Sequence, residues 1–429
     1  MKALLLSANT ETLNMPVLPV GLASVAATAA RAGHERRVLN LMGDEDPIPR
    51  LEAALSGFSP DVIGISVRNI DDQDMQTPRF LLEPVKVLVA ACRRLSKAPI
   101  VLGGAGYSIY PQAALDYLGA DMGIRGEGEI AFVQLLDRLS AERPVSNIPG
   151  LYHRQAGCQA QRRYIRRLSE LPRPLPDRDL PVPDTLERGE LWLPFQTRRG
   201  CPMNCSYCST GAIEGRLIRK TPPEQVAAAL ATYRQAGFTR FFFVDNTFNL
   251  PPSYAEALCD AIIDRGLDIY WRSIIYPWKI TERLAAKMAR AGCVEVSLGF
   301  ESGALPVLRH LNKRFSPADV EQAAGRFKAH GISRMGFLLL GGPGETRETA
   351  QESIQWADSL ALENMKLTVG IRIYPETALA ETAVSEGMIA PDSDLLFPAF
   401  YIRPELKTWL DETAEKWAKE RPGWFFRSP

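Results

Sequence analysis

The sequence predicts an α/β fold, in which a doubly wound parallel sheet is followed by a partial, TIM-like (βα)6 barrel. The first observation is that five short β-branched runs alternate with helical patterns over residues 1–146. The second is that six further strand and helix patterns alternate over residues 187–380. Alternating strands and helices form parallel sheets that are covered by helices. Such sheets and barrels bind ligands at the carboxyl ends of their strands, so functional residues are expected there.

The N-terminal domain, residues 1–146, is predicted from apolar strands that are separated by amphipathic or small-residue helices. The predicted strands cover residues 2–8, 36–41, 61–67, 99–104 and 122–129, and the predicted helices cover residues 20–33, 50–57, 82–95 and 111–118.

Residues 147–186 are predicted to be a linker, because proline opposes both helix and sheet. The barrel follows over residues 187–380. Its predicted strands cover residues 192–200, 239–246, 267–272, 293–300, 332–342 and 366–373, and its helices cover residues 223–236, 253–265, 281–291, 317–330 and 346–358. The C-terminal extension, residues 381–429, is rich in aromatic residues. A helix that packs its tryptophans against the barrel is expected, and the alternative is an aromatic surface for a lipid-like substrate.

The composition is that of an ordinary globular protein, with 46% hydrophobic and 23% charged residues. Lys and Arg number 50, as do Asp and Glu, so the chain lacks the basic excess that phosphate backbones attract, and no nucleic-acid partner is predicted. The N-terminal apolar run is too short for a signal peptide, and no stretch reaches ~18 uncharged apolar residues. Membrane attachment is therefore not expected, and a cytoplasmic location is predicted.

Three of the seven cysteines, Cys201, Cys205 and Cys208, form a CxxxCxxC pattern directly after the first predicted barrel strand. We call them the loop cysteines. Three thiolates at this spacing predict a [4Fe-4S] cluster that is held through three irons, with its fourth iron open to a ligand. The alternatives are a zinc site or inert buried thiols. A structural zinc site takes four protein ligands, and no further His or Cys stands at a zinc spacing after the third cysteine.

Because an aromatic residue, Tyr207, precedes the third loop cysteine, the chain resembles the radical S-adenosylmethionine (SAM) enzymes, whose signature is CxxxCxΦC. The resemblance implies that SAM chelates the open iron and is cleaved to a 5′-deoxyadenosyl radical. Further matching segments follow in order along the barrel, at residues 241–249, 296–303, 331–346 and 370–379. The residues that these matches imply as SAM contacts are Asp245, Asn246, Glu301, Ser302, Gly341 and Gly342. The alternatives are that the acids are helix caps or surface residues and that the glycines form only a turn.

The N-terminal domain resembles the cobalamin-binding domain that is fused to one large group of radical SAM enzymes. Gly103 and Gly104 match the glycine pair of that family, Ser66 matches its SxL serine, and Arg68 stands in place of the leucine. In cobalamin proteins with a DxHxxG loop the histidine ligates cobalt, whereas the corresponding residues 7–16 contain no histidine. The lower face of cobalt is therefore expected to meet water or the loop of residues 68–74. The alternative is a domain that binds no cofactor and serves only for packing.

Together these resemblances imply a cobalamin-dependent radical SAM methyltransferase that acts on an unactivated carbon of a small molecule or natural-product intermediate. One SAM would methylate cobalt, and a second would supply the radical that activates the substrate. The enzymatic alternatives are cyclisation, ring contraction, oxidation or aminocarboxypropyl transfer, and the non-catalytic alternative is a cobalamin or redox sensor. The expected cofactors are a [4Fe-4S] cluster, SAM and cobalamin. The expected partners are a small-molecule substrate and an external low-potential electron donor of the flavodoxin or ferredoxin type.

Overall fold

The structure, a computed structural model, describes residues 1–11 and 15–426. Residues 12–14 belong to the loop in which no histidine stands, and residues 427–429 end the C-terminal extension; both segments lie outside the described residues. The described residues form two seven-stranded sheets and two small two-stranded sheets.

The first seven-stranded sheet belongs to the N-terminal domain. Its strands are β1 (Lys2–Ser7), β2 (Glu35–Asn40), β3 (Val62–Ser66), β4 (Ile100–Gly103), β5 (Met122–Ile124), β6 (Leu151–His153) and β7 (Gly157–Cys158). They lie in the order β2-β1-β3-β4-β5-β6-β7, and the first five are parallel. The strand order reverses between β1 and β3, which is where an open sheet of this topology binds its ligand.

Helices cover both faces of this sheet. They are α1 (Val20–Arg31), α2 (Ile48–Phe58), α3 (Leu82–Leu95), α4 (Ala105–Ile109), α5 (Pro111–Leu118) and α6 (Gly128–Ser140). Helices α1 and α6 share an apolar cluster with Leu5 and Val101, and α2, α3 and α5 share another with Leu4 and Ile65. Because both faces are buried, the strands read as continuous apolar runs, and the predicted doubly wound sheet is confirmed.

The predicted linker begins later than its sequence suggests. Strands β6 and β7 extend the N-terminal sheet by antiparallel pairing, with Leu151 opposite Ile124. Ile148 and Leu151 are fully buried, so the apolar residues after position 147 complete the N-terminal core. The proline-rich residues that predicted a linker come only after this pairing ends, which corrects the boundary placed at residue 146.

The second seven-stranded sheet forms the partial barrel. Its domain contains β8 (Trp192–Phe195), β9 (Arg198–Arg199), β10 (Arg219–Lys220), β11 (Arg240–Phe243), β12 (Tyr270–Ile275), β13 (Cys293–Glu301), β14 (Ser333–Leu340), β15 (Asn364–Val369), β16 (Ile371–Arg372), β17 (Phe400–Tyr401) and β18 (Trp424–Phe425). The barrel order is β18-β15-β14-β13-β12-β11-β8, and all neighbours are parallel. The six predicted strands are present, and β9–β10 and β16–β17 form the two small antiparallel sheets.

The helices of the barrel domain follow its strands. They are α7 (Thr210–Ile213), α8 (Pro223–Gln235), α9 (Pro252–Asp264), α10 (Glu282–Arg290), α11 (Leu305–His310), α12 (Pro317–Ala329), α13 (Arg347–Ser359), α14 (Ala378–Ser385) and α15 (Pro404–Glu420). Capping boxes at Ser316 and Thr346 fix the starts of α12 and α13, because each side chain accepts a hydrogen bond from a backbone N–H of the first turn.

The C-terminal extension packs against the barrel. Strand β18 pairs with β15 as a seventh strand, with Trp424 opposite Met365. Trp409, Trp417 and Trp424 are partly buried against the barrel core. The packing interpretation of these tryptophans is therefore the one that the structure supports. No helix within residues 1–11 and 15–426 is long and apolar enough to cross a membrane.

The two domains are held together by a shared apolar cluster and by a buried ion pair. Leu4 and Ile65 of the N-terminal sheet share their cluster with Val307 of α11. The Asp71 carboxylate lies 2.8 Å from the Arg372 guanidinium, and both side chains are 2% exposed. The carboxyl ends of the N-terminal strands are thereby fixed beside the barrel.

Candidate functional site

A cavity of about 400 Å³ lies between the N-terminal sheet and the first barrel strands. Ser7, Ser66 and Gly103, at the carboxyl ends of β1, β3 and β4, line one side of it. Gln196 and Val244, which follow β8 and β11, line the other side. The cavity therefore lies at the strand-order reversal of the first sheet, and the second domain forms its opposite wall.

The two glycines of the predicted cobalamin site are required for different structural reasons. Gly104 has φ +99°, and a Cβ there would lie 2.5 Å from the Val67 carbonyl oxygen and 3.0 Å from Ser66 Oγ, so the backbone itself requires glycine. A Cβ at Gly103 would meet nothing within 4 Å, although Gly103 lines the cavity. The absence of a side chain at Gly103 thus leaves room for a bulky ligand rather than for protein.

Arg68 also lines the cavity, just after β3. Its side chain is exposed, and no described carboxylate pairs with it. Among the described residues no histidine lines the cavity. His34 is buried instead near the N-terminus, with Nε2 3.2 Å from Asp137. An unpaired guanidinium is therefore the basic group that the cavity offers at the end of β3.

Ion pairs between the domains form one wall of this cavity, and sequence reasoning missed them. The Arg199 guanidinium lies 2.5 Å from Glu129, which also accepts a hydrogen bond from Ser24 at 2.9 Å. Arg219 lies 2.6 Å from Glu127. Burial disfavours the charge of Glu129, but Arg199 outweighs this effect and lowers the pKa of that carboxyl. The sequence features that could have indicated these ion pairs are Glu127 and Glu129, which follow the fifth strand, and Arg199 and Arg219, which lie on either side of the loop cysteines.

The loop cysteines lie between β9 and α7, in a loop that the surrounding backbone holds. The Cys201 N–H donates to the Gly215 carbonyl at 3.1 Å, and the Ser206 N–H donates to the Leu311 carbonyl at 3.1 Å. The Ser206 carbonyl in turn accepts from the Leu379 N–H at 2.9 Å. Three separate segments therefore fix this loop before any metal binds.

The donor set fits an iron–sulfur cluster. All three loop cysteines are free thiols. Among the described residues, no group of three His, Cys, Asp or Glu side chains converges as a single metal ion would require. A [4Fe-4S] cluster needs no such convergence, because each thiolate binds a different iron. Burial raises the pKa of Cys201 to about 11, so iron binding must displace its proton.

Glu301, at the end of β13, lies directly beside this loop. Its Oε1 accepts hydrogen bonds from Tyr207 at 2.8 Å and from Lys313 at 2.9 Å. Its Oε2 has no hydrogen-bond partner among residues 1–11 and 15–426. Glu301 has φ +66°, and such backbone conformations in residues other than glycine concentrate at functional sites. One oxygen of Glu301 therefore remains available for a ligand beside the cluster loop.

Asp245 has both carboxylate oxygens engaged in hydrogen bonds within the protein. Its side chain is fully buried, and Oδ1 accepts from the Thr197 N–H at 2.8 Å. Oδ2 accepts from Thr197 Oγ1 at 2.5 Å and from Arg198 Nε at 3.2 Å. Both oxygens thus hold the corner between β8 and β9. This geometry indicates a structural role for the Asp245 side chain at the turn after β8, and its contact with SAM stays a prediction.

The Ser302 side chain is also engaged within the protein. Its side chain is fully buried, with Oγ 2.8 Å from Ser353 Oγ. It also accepts a hydrogen bond from the Ala304 N–H at 3.1 Å, at the start of α11. Ser302 therefore fixes α11 against α13, and its contact with SAM stays a prediction.

Asn246 links the cavity wall to the loop cysteines. Its Nδ2 donates to Glu214 Oε2 at 2.7 Å, and its Oδ1 accepts from Thr210 Oγ1 at 3.3 Å. Cys208 Sγ donates to the same Thr210 hydroxyl at 3.3 Å. At the other end, Gln196 donates to Glu214 Oε1 at 2.6 Å. Burial raises the pKa of Glu214, and this residue, which sequence reasoning missed, connects the two halves of the site.

The glycine pair after β14 is explained by packing. A Cβ at Gly341, which has φ +92°, would lie 2.9 Å from Ile402, and a Cβ at Gly342 would lie 3.0 Å from Ile371. The Gly341 N–H donates to Glu345, whose side chain is 2% exposed. Burial raises the pKa of Glu345 to about 7. The loop is thus a tight turn closed by a buried carboxyl group, and contact of its glycines with SAM stays a prediction.

Both domains match known family models. Residues 196–357 match the radical SAM superfamily, and residues 6–136 match the B12 binding domain. An uncharacterized methyltransferase of Pyrococcus horikoshii is 28% identical over 399 residues, which cover 91% of this chain and 84% of that protein. Tryptophan 2-C-methyltransferase of Streptomyces laurentii is 23% identical over 447 residues, which cover 88% of this chain and 74% of that protein.

A solved structure shares the whole architecture. The radical SAM methyltransferase TsrM from Kitasatospora setae, solved with tryptophan and a SAM analog, has a TM-score of 0.87 at 22% identity. The match covers 100% of this chain and 91% of that chain. The fold and the two matched domains define an enzyme of the radical SAM class with an N-terminal B12-binding domain. The chain belongs to the cobalamin-binding radical SAM enzymes, as the resemblance predicted.

Proposed function

We propose that this protein is a cobalamin-dependent radical SAM methyltransferase that acts on an unactivated carbon of a small molecule. The observation that carries the proposal is the cavity that both domains line. Methyl transfer to carbon requires that the methyl carrier and the radical source reach the same substrate atom. Glu214 lines the cavity opposite the sheet ends and is linked through Asn246 and Thr210 to Cys208, so the cavity lies beside the cluster loop, and this supports such proximity.

The cavity residues fit cobalamin. When bound, cobalamin supplies a carrier for a methyl group. The open space beside Gly103 admits a large ring, and Leu5, Val101 and Phe132 give the deeper part of the cavity an apolar lining. Arg68 would face the ring from the end of β3 in place of a histidine.

The loop and barrel residues fit the other two cofactors. The loop cysteines would hold the cluster, and the cluster with SAM supplies an organic radical when bound. Glu301 would orient SAM through Oε2, because Oε1 is already held by Tyr207 and Lys313. Asn246 would position the cluster side of the cavity through Thr210 and Glu214.

The names of the relatives support methyl transfer among the radical reactions. The two relatives and TsrM are each named methyltransferases. The small-molecule substrate proposed for this chain is consistent with the tryptophan bound by TsrM. A cytoplasmic location is also proposed, because all seven described cysteines are free and an open cluster iron requires a reducing compartment.

Quantifying the products of SAM tests the proposal. Reconstituted protein is incubated with cobalamin, SAM, a low-potential reductant and candidate small molecules. It should yield S-adenosylhomocysteine, 5′-deoxyadenosine and a methylated substrate together. Methylthioadenosine as the main product would instead indicate aminocarboxypropyl transfer. Deoxyadenosine without a methylated product would indicate another radical reaction.

A further inference from the structure

A second, smaller cavity adjoins the cavity between the domains. It has a volume of about 100 Å³ and lies between the start of α1, the proline-rich linker and strand β8. Val20, Gly21, Pro194, Gln196 and Arg199 line both cavities, so the smaller one is a side branch of the larger one. We call this smaller cavity the side pocket.

The linker places Arg173 in the wall of the side pocket. Its Nη2 atom is buried and has no hydrogen-bond partner, and no carboxylate in the described part of the chain forms an ion pair with it. Arginines that are buried elsewhere lie against carboxylates, as Arg198 does with Asp245 at 3.2 Å and Arg372 does with Asp71 at 2.8 Å. Burying a guanidinium without a counter-charge is costly. Arg173 is therefore a buried cation that lacks its anion.

The lining of the side pocket supplies no negative charge. It contains two arginines, Arg173 and Arg199, and no Asp or Glu. Asp179 of the same linker is engaged elsewhere, because Oδ1 lies 2.8 Å from Arg36 and Oδ2 accepts from the Leu175 N–H at 2.8 Å. Burial lowers the pKa of the Arg173 guanidinium, and a bound anion would oppose this effect.

Prolines hold the backbone of Arg173 in place. Pro172 and Pro174 flank it, and each proline fixes its own φ and restricts the residue before it to extended conformations. The Pro174 carbonyl accepts a hydrogen bond from Tyr233 Oη at 2.8 Å, which ties the linker to α8. The backbone that carries the guanidinium is therefore positioned before a ligand binds, and this reduces the entropy cost of binding.

The size of the side pocket favours a small anion. A volume of about 100 Å³ corresponds to roughly three water molecules, so the pocket accepts a group of about four or five heavy atoms and excludes a nucleotide. Val20 and Gly21, in the first turn of α1, also line it, and no side chain caps this helix. Because the N–H groups of a first helical turn attract anions, they add to the field of Arg173.

We propose that the side pocket binds a small oxyanion, a phosphate or carboxylate group, and that Arg173 is the residue that recognises it. The planar guanidinium binds both groups through paired hydrogen bonds. The oxyanion is either a free ion or the acidic group of a larger molecule that extends into the adjoining cavity. The proposal goes beyond the proposed function, because it does not depend on the reaction that takes place in that cavity.

The test uses the full chain, with inorganic phosphate and acetate as probes. Binding is measured by calorimetry, and thermal unfolding is measured with and without each anion, for the wild type, Arg173→Met and Arg173→Lys. Methionine retains much of the apolar stem of arginine and removes the charge. Arg166→Met is the matched control, because Arg166 is an exposed arginine of the same linker.

At least one of the two anions should bind the wild type saturably and raise its unfolding temperature. Arg173→Met should bind that anion at least about tenfold more weakly. Without anion it should unfold at or above the wild-type temperature, because a buried charge without a partner has been removed. Arg173→Lys should keep part of the affinity, since it keeps the charge but not the planar fork. Arg166→Met should behave as the wild type.

Phenyl phosphate distinguishes the two sources of the oxyanion. Tighter binding than inorganic phosphate would indicate the acidic group of a larger molecule, whose body lies in the adjoining cavity, and equal or weaker binding would indicate a free ion. Equal anion binding by the wild type and Arg173→Met would overturn the proposal, as would the lack of saturable binding of all three probes. A lower unfolding temperature of Arg173→Met without anion would also overturn it, because the arginine would then serve the fold alone.

Discussion

Replacing Gly103 by leucine should abolish tight cobalamin binding while leaving the fold intact. A Cβ at this position meets nothing within 4 Å, so the new side chain points into the cavity and not into the core. Glycine in a strand costs roughly 0.5–1 kcal/mol relative to alanine, so the variant should be at least as stable as the wild type.

The effect on cobalamin follows from the space that leucine takes. Inserting extra methylenes into a packed space costs about 1–3 kcal/mol. The four side-chain carbons of leucine would occupy space that the rigid ring of cobalamin needs, so the cost in binding free energy is expected at the upper end of that range. This corresponds to a loss of affinity of roughly a hundredfold.

The neighbouring glycine supplies the matched control. A Cβ at Gly104 would lie 2.5 Å from the Val67 carbonyl oxygen, and φ there is +99°. Gly104→Ala should therefore destabilise the N-terminal domain by more than about 1 kcal/mol. The two glycines thus separate a loss of ligand space from a loss of folding stability.

The assay combines thermal unfolding with titration of hydroxocobalamin followed by visible absorbance. Gly103→Leu should unfold at or above the wild-type temperature and bind cobalamin weakly, and Gly104→Ala should unfold earlier. Wild-type cobalamin affinity in a well-folded Gly103→Leu protein would refute the placement of the cofactor.

Four further predictions concern the barrel. Replacing any loop cysteine by alanine should reduce the iron bound after anaerobic reconstitution from about four per chain to near zero, and retained iron would remove the cluster assignment. Glu301→Gln should keep the iron but weaken SAM binding roughly ten- to hundredfold, whereas an unchanged SAM titration would exclude this residue. Asp245→Ala should cost about 3–5 kcal/mol in urea unfolding, because Arg198 then stays buried without a counter-charge; a loss below about 1 kcal/mol would contradict its structural role. The pKa of Glu345 is about 7 in the fold against an ordinary 4.5, so the folded protein keeps a proton that the unfolded chain loses, and this group should lower the free energy of unfolding by about 3 kcal/mol as pH rises from 4.5 to 7. Glu345→Gln should remove this pH dependence. Identical profiles of unfolding free energy against pH for the wild type and the variant would contradict the assignment.

The fold was largely predictable because parallel α/β architecture repeats one simple pattern. Each barrel strand has buried apolar residues facing the helices, as in Phe241 and Phe243 of β11, and this pattern is visible in sequence. Strand β6 was missed, because a three-residue strand carries little periodic signal and its pairing depends on β5, far away in the chain.

The candidate site was predictable where chemistry depends on residue type and spacing. Ser66, Gly103 and Gly104 line the cavity at the carboxyl ends of β3 and β4, and the loop cysteines follow the first barrel strands. The direction of a side chain was not predictable, and Asp245 and Ser302 turn inward for that reason. Glu214 was missed because its role arises only when the cysteine loop, β8 and the segment after β11 come together in three dimensions.

The most direct test of methyl transfer through cobalamin uses SAM labelled with a trideuterated methyl group. Protein reconstituted with cluster and reduced cobalamin is incubated anaerobically with this SAM, and the cobalamin is extracted and analysed by mass spectrometry. The account predicts trideuteromethylcobalamin together with an equal amount of S-adenosylhomocysteine, and loss of both in Gly103→Leu. Unlabelled cobalamin from a protein that binds the cofactor and cleaves SAM would contradict the methyltransferase assignment.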